Sequence, residues 1–421
     1  MTKIFKEVLY LKKFKITGKL LCFLFVFVFT AASALPVSAA ELPASFPEAP
    51  DITDETGVLM ELESGQVLFD KGMDEIRYPA STTKVMTALL ILESIEDLNQ
   101  TVTFTDVILP DLAPGNSTIN AQVGETLTVE QCLYAIMLAS ANEVCTQMAV
   151  QIAGSVNGFV AMMNQRAQEL GCKNTHFVNA NGLPDPNHYT TAYDLALILA
   201  EAVKNESFCK IAGAAKYTIP VTNKTPYERN LENHNSLLTD GDYHYDGAIA
   251  GKTGHTEAAK NTLVTAAAKD DMTLICVVMR SDGDARFTDT ISLFDYGFDN
   301  FQKYPLYWES TEMPSGYVIL PSGIDTGNLQ TADSVSDGTA TRTYSYQGTA
   351  LQSITVPFPM ETETQITSDM SLVPQGTWQK HLVPIYLLPV MSLLLAAETA
   401  ACVALVIRNT LQTRRKKART A

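Results

Sequence analysis

Strand-like patterns bracket a long helical block in this chain, and that order leaves few folds open. Residues 57–70 read as a hairpin. Val58-Leu59-Met60-Glu61-Leu62 and Gln66-Val67-Leu68-Phe69 are its arms, and Glu63-Ser64-Gly65 is its turn. Helical patterns dominate 81–212, strands return at 247–250, 261–268 and 272–279, and a last helical run covers 287–298. Strands far apart in sequence, with helices between and after them, are satisfied by one antiparallel sheet flanked by helices, an α/β (α+β) fold. Composition shifts after about Phe301. Residues 306–363 are rich in Thr, Ser, Val and Gly, and Thr341-Arg342-Thr343-Tyr344-Ser345-Tyr346 reads as a strand. The expected organisation is a main domain at 41–303, a small β-rich domain at 304–368 and a linker at 369–381.

Both ends carry targeting patterns. Lys3, Lys6, Lys12, Lys13, Lys15 and Lys19 precede an apolar run at 20–29, and Val37-Ser38-Ala39-Ala40 offers small residues for cleavage, the order that a secretory signal requires. An uncleaved anchor is the rival reading, and the short apolar core disfavours it. Residues 382–407 form a 26-residue apolar segment, about 39 Å long as a helix and enough to cross a bilayer. Arg408, Arg414, Arg415, Lys416, Lys417 and Arg419 follow, which places the tail (408–421) in the cytoplasm and the body outside. A surface-lying amphipathic helix is disfavoured because the segment has almost no polar face.

The net charge of −16 hides an uneven distribution: residues 1–40 carry +5, the tail carries +6, and 41–407 carry −27. So acidic a body does not suit nucleic acid as a partner. Cys132, Cys145, Cys172, Cys209 and Cys276 follow no zinc or CxxC spacing and read as free thiols, several of them buried. The histidines form no HExxH motif. No metal site and no cofactor are expected.

Three short motifs carry the candidate chemistry. Ser81-Thr82-Thr83-Lys84 follows Tyr78-Pro79-Ala80 at an expected helix start, where residues three apart share a face. A hydroxyl needs a base to become a nucleophile, and a lysine is one only when desolvation or nearby positive charge lowers its pKa. The spacing alone is common; Ser207-Phe208-Cys209-Lys210 repeats it. Ser140-Ala141-Asn142 comes next, and taken by itself Ser140 reads as an N-cap with Glu143 completing a capping box. Lys252-Thr253-Gly254 follows Gly247-Ala248-Ile249-Ala250-Gly251, a strand beside a cleft where glycine admits a ligand and lysine attracts a carboxylate.

SxxK, SxN and KTG in that order resemble the class A β-lactamase and penicillin-binding-protein superfamily. Only Ser81 has both later motifs downstream. Pro79-Ala80-Ser81-Thr82-Thr83-Lys84-Val85-Met86-Thr87-Ala88 is similar to the low-molecular-mass D-alanyl-D-alanine carboxypeptidases, serine peptidase family S11. So are Asn181-Gly182-Leu183-Pro184, His188, Thr191-Ala192-Tyr193-Asp194, Lys252-Thr253-Gly254-His255-Thr256 and Asp295-Tyr296-Gly297-Phe298. The resemblance covers roughly residues 50–300. It implies a β-lactamase/transpeptidase-like fold and removal of terminal D-alanine from peptidoglycan stem peptides, with β-lactams as covalent inhibitors. It implies Ser81 as nucleophile, Lys84 as general base and Ser140 as proton relay. Asn142 would hold the substrate backbone, Lys252, Thr253 and Gly254 would meet the terminal carboxylate, and Arg286 would face the substrate. The oxyanion would meet backbone N–H groups of Ser81 and about His255. Lys260 stands where many relatives have glycine, a departure expected to alter local backbone shape or substrate preference.

Three rivals stay open at this stage. A β-lactamase needs a water-activating glutamate, and Glu201 with Asn205 has a suitable spacing, although it closes a helical run. A D,D-endopeptidase acting on cross-links differs only in cleft width. A binding protein with a dead site would have lost motif residues, and here they are intact.

Overall fold

The structure, a computed structural model, describes residues 46–307, 314–336 and 339–357. The expected signal segment and linker, the 382–407 segment and the basic tail lie outside the described residues. Strands β1 (Thr56–Glu61) and β2 (Val67–Lys71) form the expected hairpin, turning at Gly65 with φ +67°, a conformation open to glycine without strain. A 3-10 turn over Ala80–Thr83 leads into α1 (Lys84–Ser94). The helical block expected from Ser81 is then interrupted. Between α1 and α2 (Val129–Met137) lie a 3-10 segment, Asp106–Leu112, and the paired strands β3 (Thr101–Thr103) and β4 (Thr126–Thr128).

Four helices complete the block: α3 (Asn142–Ala153), α4 (Val156–Glu169), α5 (Ala192–Ala202) and α6 (Glu206–Ala212). After the small hairpin of β5 (Lys216–Ile219) and β6 (Arg229–Glu232) come three long strands, β7 (Ala248–Thr256), β8 (Lys260–Lys269) and β9 (Met272–Ser281). Helix α7 (Ala285–Asn300) closes this part. The β-rich stretch holds two further sheets. One pairs β10 (Phe301–Leu306) with β11 (Gly316–Pro321); the other orders β12 (Gln330–Ser336), β13 (Thr339–Tyr346) and β14 (Thr349–Pro357).

The main sheet is antiparallel throughout, in the order β2-β1-β9-β8-β7. Its alternation explains the two-sided core. On β9, Ile275, Val277 and Met279 join the core under α1–α6, while Leu274, Cys276 and Val278 join the core under α7 and β10–β11. All six are completely buried. Burying one such side chain is worth about 1.5–3 kcal/mol, so β9 is the strand that both layers share. Strand β7 is one edge of the sheet and β2 the other, each with one side unpaired by the sheet. Helix α1 runs through the helical layer with every residue from Lys84 to Ile91 buried. Buried Gln66, at the β1–β2 turn, exchanges two hydrogen bonds with the backbone of Ile319 on β11, Nε2 to O at 2.7 Å and N to Oε1 at 3.0 Å. The described residues fall in one compact unit. Among them no helix is long and apolar enough to cross a membrane.

Candidate active site

Ser81 sits on the 3-10 turn, not on the first turn of an α-helix as its spacing suggested. In 3-10 geometry residues i and i+3 eclipse, so Ser81 stacks directly under Lys84. The Lys84 Nζ lies 3.1 Å from Ser81 Oγ. It also donates to Asn142 Oδ1 at 2.7 Å and to the Asn181 carbonyl at 2.5 Å. Burial pushes the Lys84 pKa below the ordinary lysine value, against the opposing charges of Cys145, Glu143 and Asp111. Ser81 itself is only partly buried, so the cluster opens to solvent at the hydroxyl.

The second motif enters from the helical layer. Ser140 has φ +58°, which turns the chain sharply into α3. The expected N-cap with a capping box does not form. Ala141 is the N-cap residue, and Glu143 turns its carboxylate to Thr118 Oγ1 and the Ile119 N–H instead, at 2.6 and 2.8 Å. The Ser140 hydroxyl is left buried and without a hydrogen-bond partner. A buried hydroxyl in that state is costly.

The third motif lies on the edge strand β7 itself. Lys252 is buried, and its Nζ bonds the Thr253 carbonyl at 2.9 Å. Burial first, and then the Lys84 charge, bring its pKa down to about 7. Gly254 presses against the Ser81 segment. A Cβ there would meet Thr262 Oγ1 at 2.4 Å, the Pro79 carbonyl at 2.9 Å and the Ser81 nitrogen at 3.0 Å. Only glycine fits, which is why the third motif residue is one.

Two further segments hold this arrangement. Gly182, at φ +84°, packs so tightly on Ala80 that any Cβ would overlap its carbonyl oxygen. His188 Nδ1 accepts from the Val178 N–H at 3.1 Å, so the proton resides on Nε2, which donates to Thr83 Oγ1 at 2.8 Å. Thr83 in turn donates to the Ala80 carbonyl at 2.8 Å. Burial holds the His188 pKa down at about 4, so the ring is neutral and this relay of hydrogen bonds is permanent near pH 7. Ala80 needs the restraint, since its φ of +49° is strained for a residue with a Cβ.

This Ser–Lys pair beside a KTG edge strand can be set against known proteins. The family model described as D-alanyl-D-alanine carboxypeptidase, Peptidase S11, matches residues 44–283. The chain belongs to this family of serine hydrolases. It is 36% identical over 257 residues to the D-alanyl-D-alanine carboxypeptidase DacF of Bacillus subtilis, covering 60% of this chain and 64% of that one. It therefore spans under two thirds of that relative's length. Among solved structures, a serine-to-alanine variant of the Streptomyces K15 DD-transpeptidase superposes with a TM-score of 0.56 at 33% identity, over 59% of this chain and 99% of that one. Penicillin-binding protein 5 of Haemophilus influenzae gives 0.63 at 26% identity, over 73% and 97%.

Within this S11 chain, other residues singled out in the sequence stand elsewhere. Ser207 and Lys210 lie on α6, where the exposed lysine pairs with Glu130 at 2.9 Å. Glu201 is a solvated helix end, bound by Arg166 at 2.7 Å and Lys204 at 2.9 Å. Arg286 does not join the cluster. Among the described residues its contacts are the Gly283 carbonyl at 2.7 Å, Asp284 at 3.4 Å and the Phe287 ring. It reaches β7 only indirectly, because Asn261 also bonds Gly283 and meets His255 Nδ1 at 3.0 Å. Lys260 has φ +52°, so it takes the left-handed conformation that glycine adopts freely; the Nζ is held by Asp282 at 3.1 Å and Glu55 at 3.4 Å. All five described cysteines are free thiols, three of them buried. His188, Thr83 and Gly182 fall in the family-like stretches of the sequence, but no motif there assigns them a role. Their role arises only from contacts across many residues.

Proposed function

We propose that this chain is a serine D,D-carboxypeptidase that removes the terminal D-alanine from peptidoglycan stem peptides through a Ser81 acyl-enzyme. The observation that carries the reading is the environment of Lys84. A neutral amine has two N–H bonds and one lone pair. The acceptors Asn142 Oδ1 and Asn181 O take the two N–H bonds, which leaves the lone pair for the Ser81 hydroxyl. Lys84 then accepts the Ser81 proton as Oγ bonds the carbonyl carbon of the penultimate D-alanine. The oxyanion is held by the N–H groups of Ser81 and a residue near His255. The C–N bond breaks, and the leaving D-alanine nitrogen takes the proton back from Lys84 by way of the Ser140 hydroxyl. Water attacks the ester and gives its proton to Lys84; the ester C–O bond then breaks, and Lys84 returns the proton to Ser81 Oγ. Lys252 and Thr253 bind the terminal carboxylate, with Gly254 giving the backbone room. Asn142 spends Oδ1 on Lys84 and keeps Nδ2 for the substrate backbone.

A β-lactam opens on the same serine but keeps its leaving group tethered, which obstructs water. Glu201 is committed to Arg166 and Lys204, so the β-lactamase reading lacks its glutamate there. Basic, apolar and small residues at the start and the apolar 382–407 segment support secretion and a single membrane span with the catalytic part outside. The test is incubation of the purified ectodomain with a stem pentapeptide and with cross-linked dimers, reading products by mass, followed by a penicillin label-and-chase. The proposal requires D-alanine release, with the penicillin adduct decaying about a thousandfold more slowly than peptide turns over, ~4 kcal/mol in barrier. Comparable rates for the two would mark a β-lactamase.

A further inference from the structure

Two buried acids outside the three motifs stand behind the acceptors of the Lys84 amine. Asp111 lies on the 3-10 segment and Glu143 on α3. Asp111 Oδ1 accepts from Asn181 Nδ2 at 3.2 Å, and the Asn181 carbonyl accepts from Lys84. Glu143 directly follows Asn142, whose Oδ1 accepts from Lys84 at 2.7 Å. The chain between the acids ties the two acceptors together. The Asn142 N–H donates to the Ser117 carbonyl at 2.9 Å. Glu143 Oε1 accepts from Thr118 Oγ1 and from the N–H groups of Ile119 and Ala121, at 2.6, 2.8 and 3.4 Å.

Burial raises the Glu143 pKa, and these three donors pull it back toward the ionised form. Glu143 Oε2 is buried and has no hydrogen-bond partner, so a proton placed there would find no acceptor. A buried carboxylate needs a compensating charge, and the cation that feels both acids is Lys84. The other titratable groups around Lys84 supply no negative charge near pH 7. Cys145 on α3 is a neutral thiol, its pKa pushed up to about 12 by burial. Lys252 on β7 has the same sign as the ammonium, and the His188 ring is neutral. In the carboxypeptidase reading, Lys84 starts as an amine and becomes a buried ammonium when it takes the Ser81 proton. Resting on that reading, we infer that Asp111 and Glu143 are positioning residues of the reaction. They fix the two acceptors of Lys84 and balance the charge it carries between Ser81 and the leaving D-alanine nitrogen.

The test is the acid limb of two pH profiles: kcat/KM on a stem pentapeptide, and the second-order rate of acylation by a penicillin. Asp111→Asn and Glu143→Gln each keep an acceptor oxygen and remove the charge. With a negative charge gone the ammonium is less stable, so each variant should move the limb to lower pH. The expected move is about one pH unit, a tenfold loss of proton affinity at Lys84. Glu130→Gln, which removes an acid of α2 paired with Lys210, should leave the limb in place. The limb's position does not depend on how much of a variant is folded. A role in packing alone would lower the curve without moving it. A limb within about 0.2 pH unit of wild type in either variant therefore overturns the inference and leaves the carboxypeptidase reading standing. A wild type that neither releases D-alanine nor is acylated overturns the carboxypeptidase reading itself, and the inference with it.

Discussion

The chain contains the SxxK pattern twice, and the two copies have opposite fates. Ser81 and Lys84 lie where a 3-10 turn meets a helix buried all round, and Lys84 has no exposed surface. Ser207 and Lys210 lie on α6 at the surface, where Glu130 raises the Lys210 pKa by hydrogen bond and charge. Burial lowers that of Lys84. One spacing thus yields a candidate base in one place and a fixed cation in the other. The difference lies in desolvation and in the acceptors around the amine, which no local motif records.

The strongest way to break this comparison is at the serines. Ser81→Ala should lower D-alanine release at least about a thousandfold and abolish covalent labelling by a fluorescent penicillin, while Ser207→Ala should change either by less than about twofold. Labelling that persists in the Ser81 variant and vanishes in the Ser207 variant would invert the assignment. The lysines come next. Lys84→Ala should cost about 10²–10⁴ in kcat/KM, the range for a lost general base, against no more than about twofold for Lys210→Ala. Equal losses, measured on the same peptide, would mean that burial does not distinguish the two.

Proton linkage sharpens the contrast. Activity should rise from acid pH as Lys84 loses its proton below the ordinary lysine range, then bend over near pH 7 as Lys252 loses the charge that holds the carboxylate. The sign for stability is the reverse of the usual lysine case. Between about 7 and the ordinary lysine value the unfolded chain keeps a proton at Lys252 that the folded chain has released, so stability gained from this group grows as pH rises. Lys252→Met should flatten both the alkaline limb of the rate profile and the corresponding part of the Tm profile. Lys210, its pKa raised, contributes nothing to that window. A Tm profile with the same slope in wild type and Lys252→Met would remove Lys252 as the source.

The smallest effect is expected at Lys260→Gly. The substitution relieves a left-handed φ but removes two exposed ion pairs, which are worth little. Tm should move by no more than about 4 °C, and kcat/KM on a short peptide by less than about threefold. A large loss would mean that Lys260 does more than hold the hairpin.

Much of the site was legible because its residues occur in a fixed order. A serine with a lysine three residues on, a serine–asparagine turn and a KTG strand can be read without coordinates, as can the hairpin at 57–70 and the strands at 247–279. The two-sided burial of β9 and the burial of α1 from Lys84 to Ile91 are visible as largely apolar runs. Residues that act through packing were not legible. The N-cap reading of Ser140 failed because Glu143 found Thr118 and Ile119, partners more than twenty residues away. Arg286 was placed by analogy; its Nη1 bonds the Gly283 carbonyl and its guanidinium lies over the Phe287 ring, contacts that no motif records.

The sequence by itself determined which groups are present and which elements carry them, because helix and strand periodicity and short-range motifs are local properties. Only the tertiary structure decided their chemistry. Lys84 differs from Lys210 because helices and sheet exclude water from one and not the other, and because Asn142 and Asn181 come from distant segments to claim its N–H bonds. His188 gained its role in the same way, through Thr83 and Ala80. Desolvation and hydrogen-bond geometry depend on the whole fold, so one spacing can have two meanings in a single chain.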